Sequence, residues 1–82
     1  MTTQINADLI LDQQGLLCPM PIINVENAIS GLNAGQIIEV LCTDPGSKSD
    51  FNAWSRRRGH TILSTSEEGS PAVYTFYIEK GG

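Results

Sequence analysis

Basic residues are scarce in this chain. Lysine and arginine number five against nine aspartate and glutamate residues, which leaves a formal net charge of −4. That balance argues against nonspecific binding to nucleic acid, which needs a basic surface to displace phosphate counterions. Long apolar runs are also missing. The most apolar stretch, Ile37 to Cys42, is interrupted by Glu39 and is far too short to cross a bilayer. The leading stretch Met-Thr-Thr-Gln-Ile-Asn-Ala-Asp has neither the basic region nor the apolar core of a secretory signal. A cytoplasmic location without membrane attachment is therefore expected. Histidine occurs once and cysteine twice. There is no Cys-x-x-Cys pair or histidine cluster to hold a metal, and no glycine-rich phosphate loop. No metal and no cofactor are expected. Repeats, linkers and low-complexity segments are absent too, and 82 residues leave room for one domain with one core.

What is present is a globular balance, 40% hydrophobic and 17% charged. Leu9 to Asp12 alternates as a short strand and runs into a loop at Gln13-Gln14-Gly15. Ile22, Val25, Ile29 and Leu32 then recur at spacings of three and four, the apolar stripe of a helix spanning Pro19 to Asn33. Gly35 is a plausible end signal for it. Gln36 to Thr43 is rich in β-branched residues and reads as a central strand buried on both faces. Asp44-Pro45-Gly46 is a turn. Ser47 with Asp50 resembles a capping box that opens a second helix, Ser47 to Arg58, with Phe51, Trp54 and Ser55 facing inward and Gly59 as its stop. Thr61 to Ser66 and Ala72 to Lys80 are two further strands joined through Glu67 to Pro71. The order βαβαββ predicts an α/β (α+β) two-layer sandwich, a four-stranded mixed sheet with two helices on one face.

The chemistry concentrates in Asp12-Gln13-Gln14-Gly15-Leu16-Leu17-Cys18-Pro19-Met20-Pro21. This segment sets a thiol just before a helix that two prolines help to start. Proline fits the first helical turn, where a missing N–H costs nothing. The helix N-terminus carries unpaired N–H groups and partial positive charge, so a thiolate there is expected below the free value of about 8.5. An ordinary small apolar residue at a loop-to-helix junction is the alternative, and the local physics leaves both readings open.

The string Asp12-x-x-Gly15-x-x-Cys18-Pro19-x-Pro21 resembles the signature of the TusA/SirA-like sulfur-carrier family. Softer matches follow in order at Thr43-Asp44-Pro45-Gly46, Asp50-Phe51, Trp54 and Gly59-His60, so the resemblance covers about Leu9 to Lys80. It implies that residues 1–82 form one carrier domain whose Cys18 bears a persulfide sulfur. It further implies that Pro19 and Pro21 shape the helix start, that Gly15 lets the loop turn, and that Asp12 hydrogen-bonds or caps the loop. Asp44, in the family's Asp-Pro turn, is a candidate partner contact as well as a cap for the second helix. The implied partners are transient: a sulfur donor of the cysteine desulfurase or rhodanese type and an acceptor such as a DsrE-like subunit. A monomer is expected, acting as a sulfurtransferase-type carrier rather than a stand-alone enzyme. The alternative is a redox-sensing or protein-binding regulatory module on the same fold; selenium handling is a third reading. Many relatives carry basic residues along the first helix, whereas the only charge here between Ile22 and Ala28 is Glu26.

Four other features need placing. Cys42, in the most apolar strand, is expected to be buried and inert rather than a resolving thiol. Arg56, Arg57 and Arg58 complement the negative end of the second helix, an effect worth about 0.3–1 kcal/mol, or else form a docking patch for an acidic partner. His60 is expected to be a hydrogen-bonded strand-start residue rather than a base for Cys18. The pair Gly81-Gly82 is expected to be a frayed end.

Overall fold

A computed structural model describes residues 5–82, so Met1 to Gln4, half of the stretch read above for a targeting signal, lie outside it. The elements run β1 Leu9–Gln13, α1 Met20–Ile29, β2 Ile37–Cys42, α2 Ser47–Arg58, β3 Thr61–Glu68 and β4 Val73–Glu79. The sheet order is β1-β2-β4-β3, with β1 parallel to β2 and the other neighbours antiparallel. The expected βαβαββ mixed sheet is thus what forms. Among the described residues, no helix is long and apolar enough to cross a membrane.

Both helices cover one face of this sheet. Val25 and Ile29 of α1 and Phe51 and Trp54 of α2 pack on Ile38, Val40 and Cys42 of β2 and on Phe76 and Ile78 of β4. The Phe51 ring sits 4.9 Å from Phe76 and 5.9 Å from Trp54, the latter edge-on. These aromatics are the largest fully buried side chains of the core. β2 is central, but it is not buried on both faces as its composition suggests. Ile38, Val40 and Cys42 are fully buried, whereas Ile37, Glu39 and Leu41 are only half-buried. With helices on one side only, alternate residues face an open surface. Strand alternation and register place Asp12, Glu39, Glu68 and Glu79 on that surface. Four of the five basic residues lie in α2 instead.

Three local details differ from the sequence-based expectation. First, α1 ends at Ile29 with Ser30 as its C-cap, not at Asn33. Beyond it the chain tightens, with Gly31 and Leu32 donating to the carbonyls of Ala28 and Ile29. The Lys80 ammonium then takes the Leu32 carbonyl at 2.6 Å and the Ser30 carbonyl at 3.4 Å. Second, no capping box forms, because Gly46 is the N-cap of α2 and no side chain caps it. Ser47 is inside the helix, its hydroxyl buried without a hydrogen-bond partner. Third, β3 runs two residues further than expected, to Glu68, with a bulge between Ile62 and Ser64. At the other end of α2, Gly59 adopts φ +76°, the left-handed conformation that ends the helix where the sequence places its stop.

Candidate functional site

The loop between β1 and α1 projects from the C-terminal end of β1, beside the turn that follows β2. Gln13 anchors its base. Its buried side chain accepts a hydrogen bond from the Asn24 amide of α1 at 2.6 Å and donates to the Asp12 carbonyl. Asp12 accepts the Gln14 N–H at 2.9 Å, which turns the chain outward. Gly15 follows at φ +83°, where a side chain would be strained, and donates its N–H to the Thr43 hydroxyl at 2.9 Å. Cys18 donates its own N–H to Asp44 Oδ2, also at 2.9 Å. Pro19 is the N-cap of α1, joined to Cys18 by a cis peptide, and Pro21 is buried in the first turn. The loop is thus tied by main-chain bonds to two residues of the β2–α2 turn, and Cys18 is exposed at its tip.

Around the sulfur the electrostatics oppose the expectation of a lowered thiol. Cys18 Sγ and one carboxylate oxygen each from Asp44 and Asp50 lie within 4.8 Å of one another. The thiol is pushed up from its ordinary value, first by the Asp50 carboxylate beside it, with slight desolvation and the charge of Asp44 adding to it. The helix start contributes less than its position suggests. Pro19 and Pro21 have no N–H, the Met20 N–H is taken by the Leu17 carbonyl at 3.0 Å, and the Cys18 N–H points at Asp44. Four of the positions that could offer a donor to a thiolate thus have none or have it occupied, while two carboxylates face the sulfur. These three groups make a poor metal centre: one thiol and two carboxylates, with both oxygens of Asp44 already accepting N–H groups from Cys18 and Gly46. The arrangement is a protonated, reachable thiol. Its rim is apolar, with Leu16, Leu17, Met20 and Ile23 all exposed.

The other candidates lie elsewhere. Cys42 is fully buried, and burial pushes its thiol up. His60 follows the C-terminal end of α2, while Cys18 lies near its N-terminal turn, so a 12-residue helix separates them by about 18 Å. Its Nδ1 accepts the Gly81 N–H at 3.0 Å and its ring leans on Trp54 at 5.0 Å. The terminal glycines are therefore not simply frayed: Gly81 is half-buried and bonded. Burial lowers the His60 imidazole below its ordinary value of 6.5. Arg58 pairs with Glu26 at 3.0 Å across a groove between α1 and α2. Ile22, Ile23, Trp54 and Arg57 also line this groove of about 450 Å³. Arg56 and Arg57 are exposed. Two contributors are not visible as such in the sequence: Thr43, which stands in the turn motif, and Asp50, which resembles part of a capping box. Their role needs the β2–α2 turn to meet the loop, a long-range contact without a local pattern.

A family profile described as Sulfurtransferase TusA matches residues 9–80. The chain is 45% identical over 75 residues to YrkI of Bacillus subtilis, covering 92% of this chain and 97% of that protein. It is 37% identical over 73 residues to the sulfur carrier protein TusA of Allochromatium vinosum, covering 89% and 93%. Against the sulfur carrier protein TusA of Pseudomonas putida it is 33% identical over 78 residues, 95% of each chain. Among solved structures, a SirA-like protein of Desulfitobacterium hafniense superposes with a TM-score of 0.75 at 23% identity, over 90% of this chain and 99% of that one. The last match establishes the fold.

Proposed function

The chain belongs to the TusA family, and from that premise we propose that it is a sulfur carrier whose Cys18 relays persulfide sulfur between proteins. One observation supports this most directly. Of two cysteines, Cys42 is sealed in the core, while Cys18 stands exposed on a loop whose main chain is pinned at Gly15 and Cys18. A relay needs that combination, a sulfur that another active site can reach and a backbone that presents it in one place. In the loading step Cys18 loses its proton and attacks the outer sulfur of a donor persulfide. The new S–S bond forms as the old one breaks, and the donor cysteine leaves as a thiolate that takes up a proton. Delivery repeats the exchange with an acceptor cysteine attacking the outer sulfur on Cys18. Each step moves one sulfur atom with no external oxidant and no cofactor.

The donor in this reading is a cysteine desulfurase or rhodanese-type protein. The acceptor is a cysteine on a partner such as a DsrE-like subunit, in tRNA thiolation, cofactor synthesis or dissimilatory sulfur oxidation. The interfaces are small and transient, since one loop tip carries the cargo. A redox sensor fits the site less well, because sensing cysteines are low-pKa thiolates and Asp50 pushes Cys18 the other way. Incubation with a persulfide donor followed by intact-mass measurement tests the assignment. A gain of about 32 Da, lost on reduction and absent in Cys18→Ser, is expected for a persulfide on that thiol. The same gain in Cys18→Ser would remove Cys18 from the role.

A further inference from the structure

The surface around Cys18 has two properties that together describe what docks on it. Its rim is apolar and exposed: Leu16 and Leu17 precede the cysteine, and Met20 and Ile23 follow in the first turn of α1, Ile23 also lining the groove between the helices. Within this rim lie two carboxylates, Asp44 and Asp50, at the sulfur itself. Asp44 is occupied by the N–H groups of Cys18 and Gly46. Among the described residues the Asp50 side chain accepts no nitrogen or oxygen donor and pairs with no cation. The nearest basic residue on its helix, Lys48, reaches instead to Glu67 of β3 at 3.9 Å. The charges that act on the thiol are those of Asp50 and Asp44. The protein thus places negative charge beside its reactive sulfur and leaves that of Asp50 without a partner among the described residues.

We propose that this surface selects partners that carry a lysine or arginine beside their own reactive sulfur, set in an apolar surround, and that Asp44 and Asp50 are the residues that determine this preference. The inference rests on the carrier reading for its biological meaning, though not for its chemistry. In the resting protein the carboxylates of Asp50 and Asp44 beside the sulfur disfavour loss of the thiol proton. A partner ammonium or guanidinium brought against the two carboxylates cancels their repulsion of a thiolate, so the proton departs and Sγ attacks. The apolar rim removes water from the pair as the surfaces close, which strengthens the attraction. A partner with an acidic residue beside its sulfur meets two like charges and is rejected. Cys18 is in this way kept quiet in free solution and made nucleophilic by the partner that is meant to use it.

Small disulfides test the rule directly. Cystamine carries an ammonium beside each sulfur, bis(2-hydroxyethyl) disulfide is neutral, and dithiodiglycolate carries carboxylates. In each case Cys18 Sγ attacks one sulfur, the mixed disulfide forms, and the displaced thiolate takes up a proton. Rates of mixed-disulfide formation on the full chain are read by intact mass, each divided by the rate of the same reagent with N-acetylcysteine. The expected order is cationic, then neutral, then anionic, with a spread of about tenfold at low ionic strength that shrinks as salt is added. Asp44→Asn with Asp50→Asn should collapse the spread, and Asp50→Asn alone, which keeps the Asp44 bonds to the loop, should reduce it. Glu39→Gln with Glu79→Gln removes the same net charge from the open sheet face and should leave the spread unchanged. An unordered set of wild-type rates would overturn the proposal, as would a spread that survives in the double asparagine variant. The test is separable from the carrier reading. Failure of persulfide loading with a neutral donor would strike the carrier role and leave the charge rule standing, and the converse also holds.

Discussion

Asp44 holds Cys18 by its backbone rather than by its sulfur. Its Oδ2 accepts the Cys18 N–H at 2.9 Å while its Oδ1 accepts the Gly46 N–H at 3.1 Å, so one carboxylate spans the β1–α1 loop and the turn that opens α2. Together with the Thr43 hydroxyl on Gly15, this makes the position of the loop tip a property of the β2–α2 turn. The tip is fixed by the turn after the neighbouring strand, through residues 26 and 28 positions away in the chain.

Asp44→Ala should accordingly cost about 1–2 kcal/mol, the range for losing charged hydrogen bonds to two main-chain N–H groups at a half-buried site. Asp44→Asn keeps one acceptor oxygen and should lose about half as much. Urea unfolding followed by Trp54 fluorescence measures both. An alanine variant as stable as the parent would show that the carboxylate does not hold the loop.

Local chemistry made much of this fold readable. The span of α2 follows from Asp44-Pro45-Gly46 before it and Gly59 after it, both of which act within a few residues. The α1 stripe is a matter of 3.6-residue periodicity. Legibility ends where distant residues decide. Leu32 looks helical until Lys80, 48 residues on, takes its carbonyl. Ser47 and Asp50 look like a capping box until Gly46 takes the cap position and Asp50 turns toward Cys18. The thiol follows the same rule. The helix start lies where the sequence implies, but the carboxylates that outweigh it arrive by tertiary contact. The cysteine motif itself was legible because its prolines, glycine and aspartate are contiguous.

The two thiols should differ sharply toward iodoacetamide. Cys18 is exposed, so it should be labelled in the folded protein, whereas Cys42 should react only after unfolding. Because Asp50 and Asp44 favour the neutral thiol, the labelling rate of Cys18 should rise only above the ordinary cysteine range as pH increases. Asp50→Asn removes the first of these causes and should move the midpoint down. A midpoint in the parent below that of a free cysteine would contradict the placement of the carboxylates. Cys42→Ala should leave Cys18 labelling intact and cost about 1–2 kcal/mol for the cavity it leaves.

Glu26 should matter for stability more through Trp54 than through Arg58. Its Oε1 accepts the Trp54 indole N–H at 2.9 Å, and Trp54 is 2% exposed, whereas the Arg58 side chain is 60% exposed. Glu26→Ala leaves a buried indole N–H unpaired, which should cost about 1–2 kcal/mol. Arg58→Ala should cost less than about 1 kcal/mol, as expected for an exposed ion pair. A double-mutant cycle over Glu26 and Arg58 measures the pair itself. A coupling larger than the whole Glu26→Ala effect would reverse this ranking.

His60 should give the fold a pH dependence between neutrality and the carboxylate range. Burial lowers its imidazole below the ordinary 6.5, with Lys80 and Arg58 acting in the same direction and Glu26 against it. In that interval the unfolded chain takes up a proton that the folded chain resists, so stability falls as pH drops. The stabilising contribution is present above 6.5 and is lost as pH falls through the lower, folded-state value. Geometry agrees with the sign. Nδ1 accepts the Gly81 N–H, so a proton there would remove the bond that docks the end of the chain. His60→Gln offers Gly81 an acceptor that cannot titrate. Urea midpoints taken from about pH 5.5 to 7.5, above the titration of ordinary carboxylates, should slope upward in the parent and lie flat in the variant. An equal slope in both would assign the dependence to the acidic groups instead.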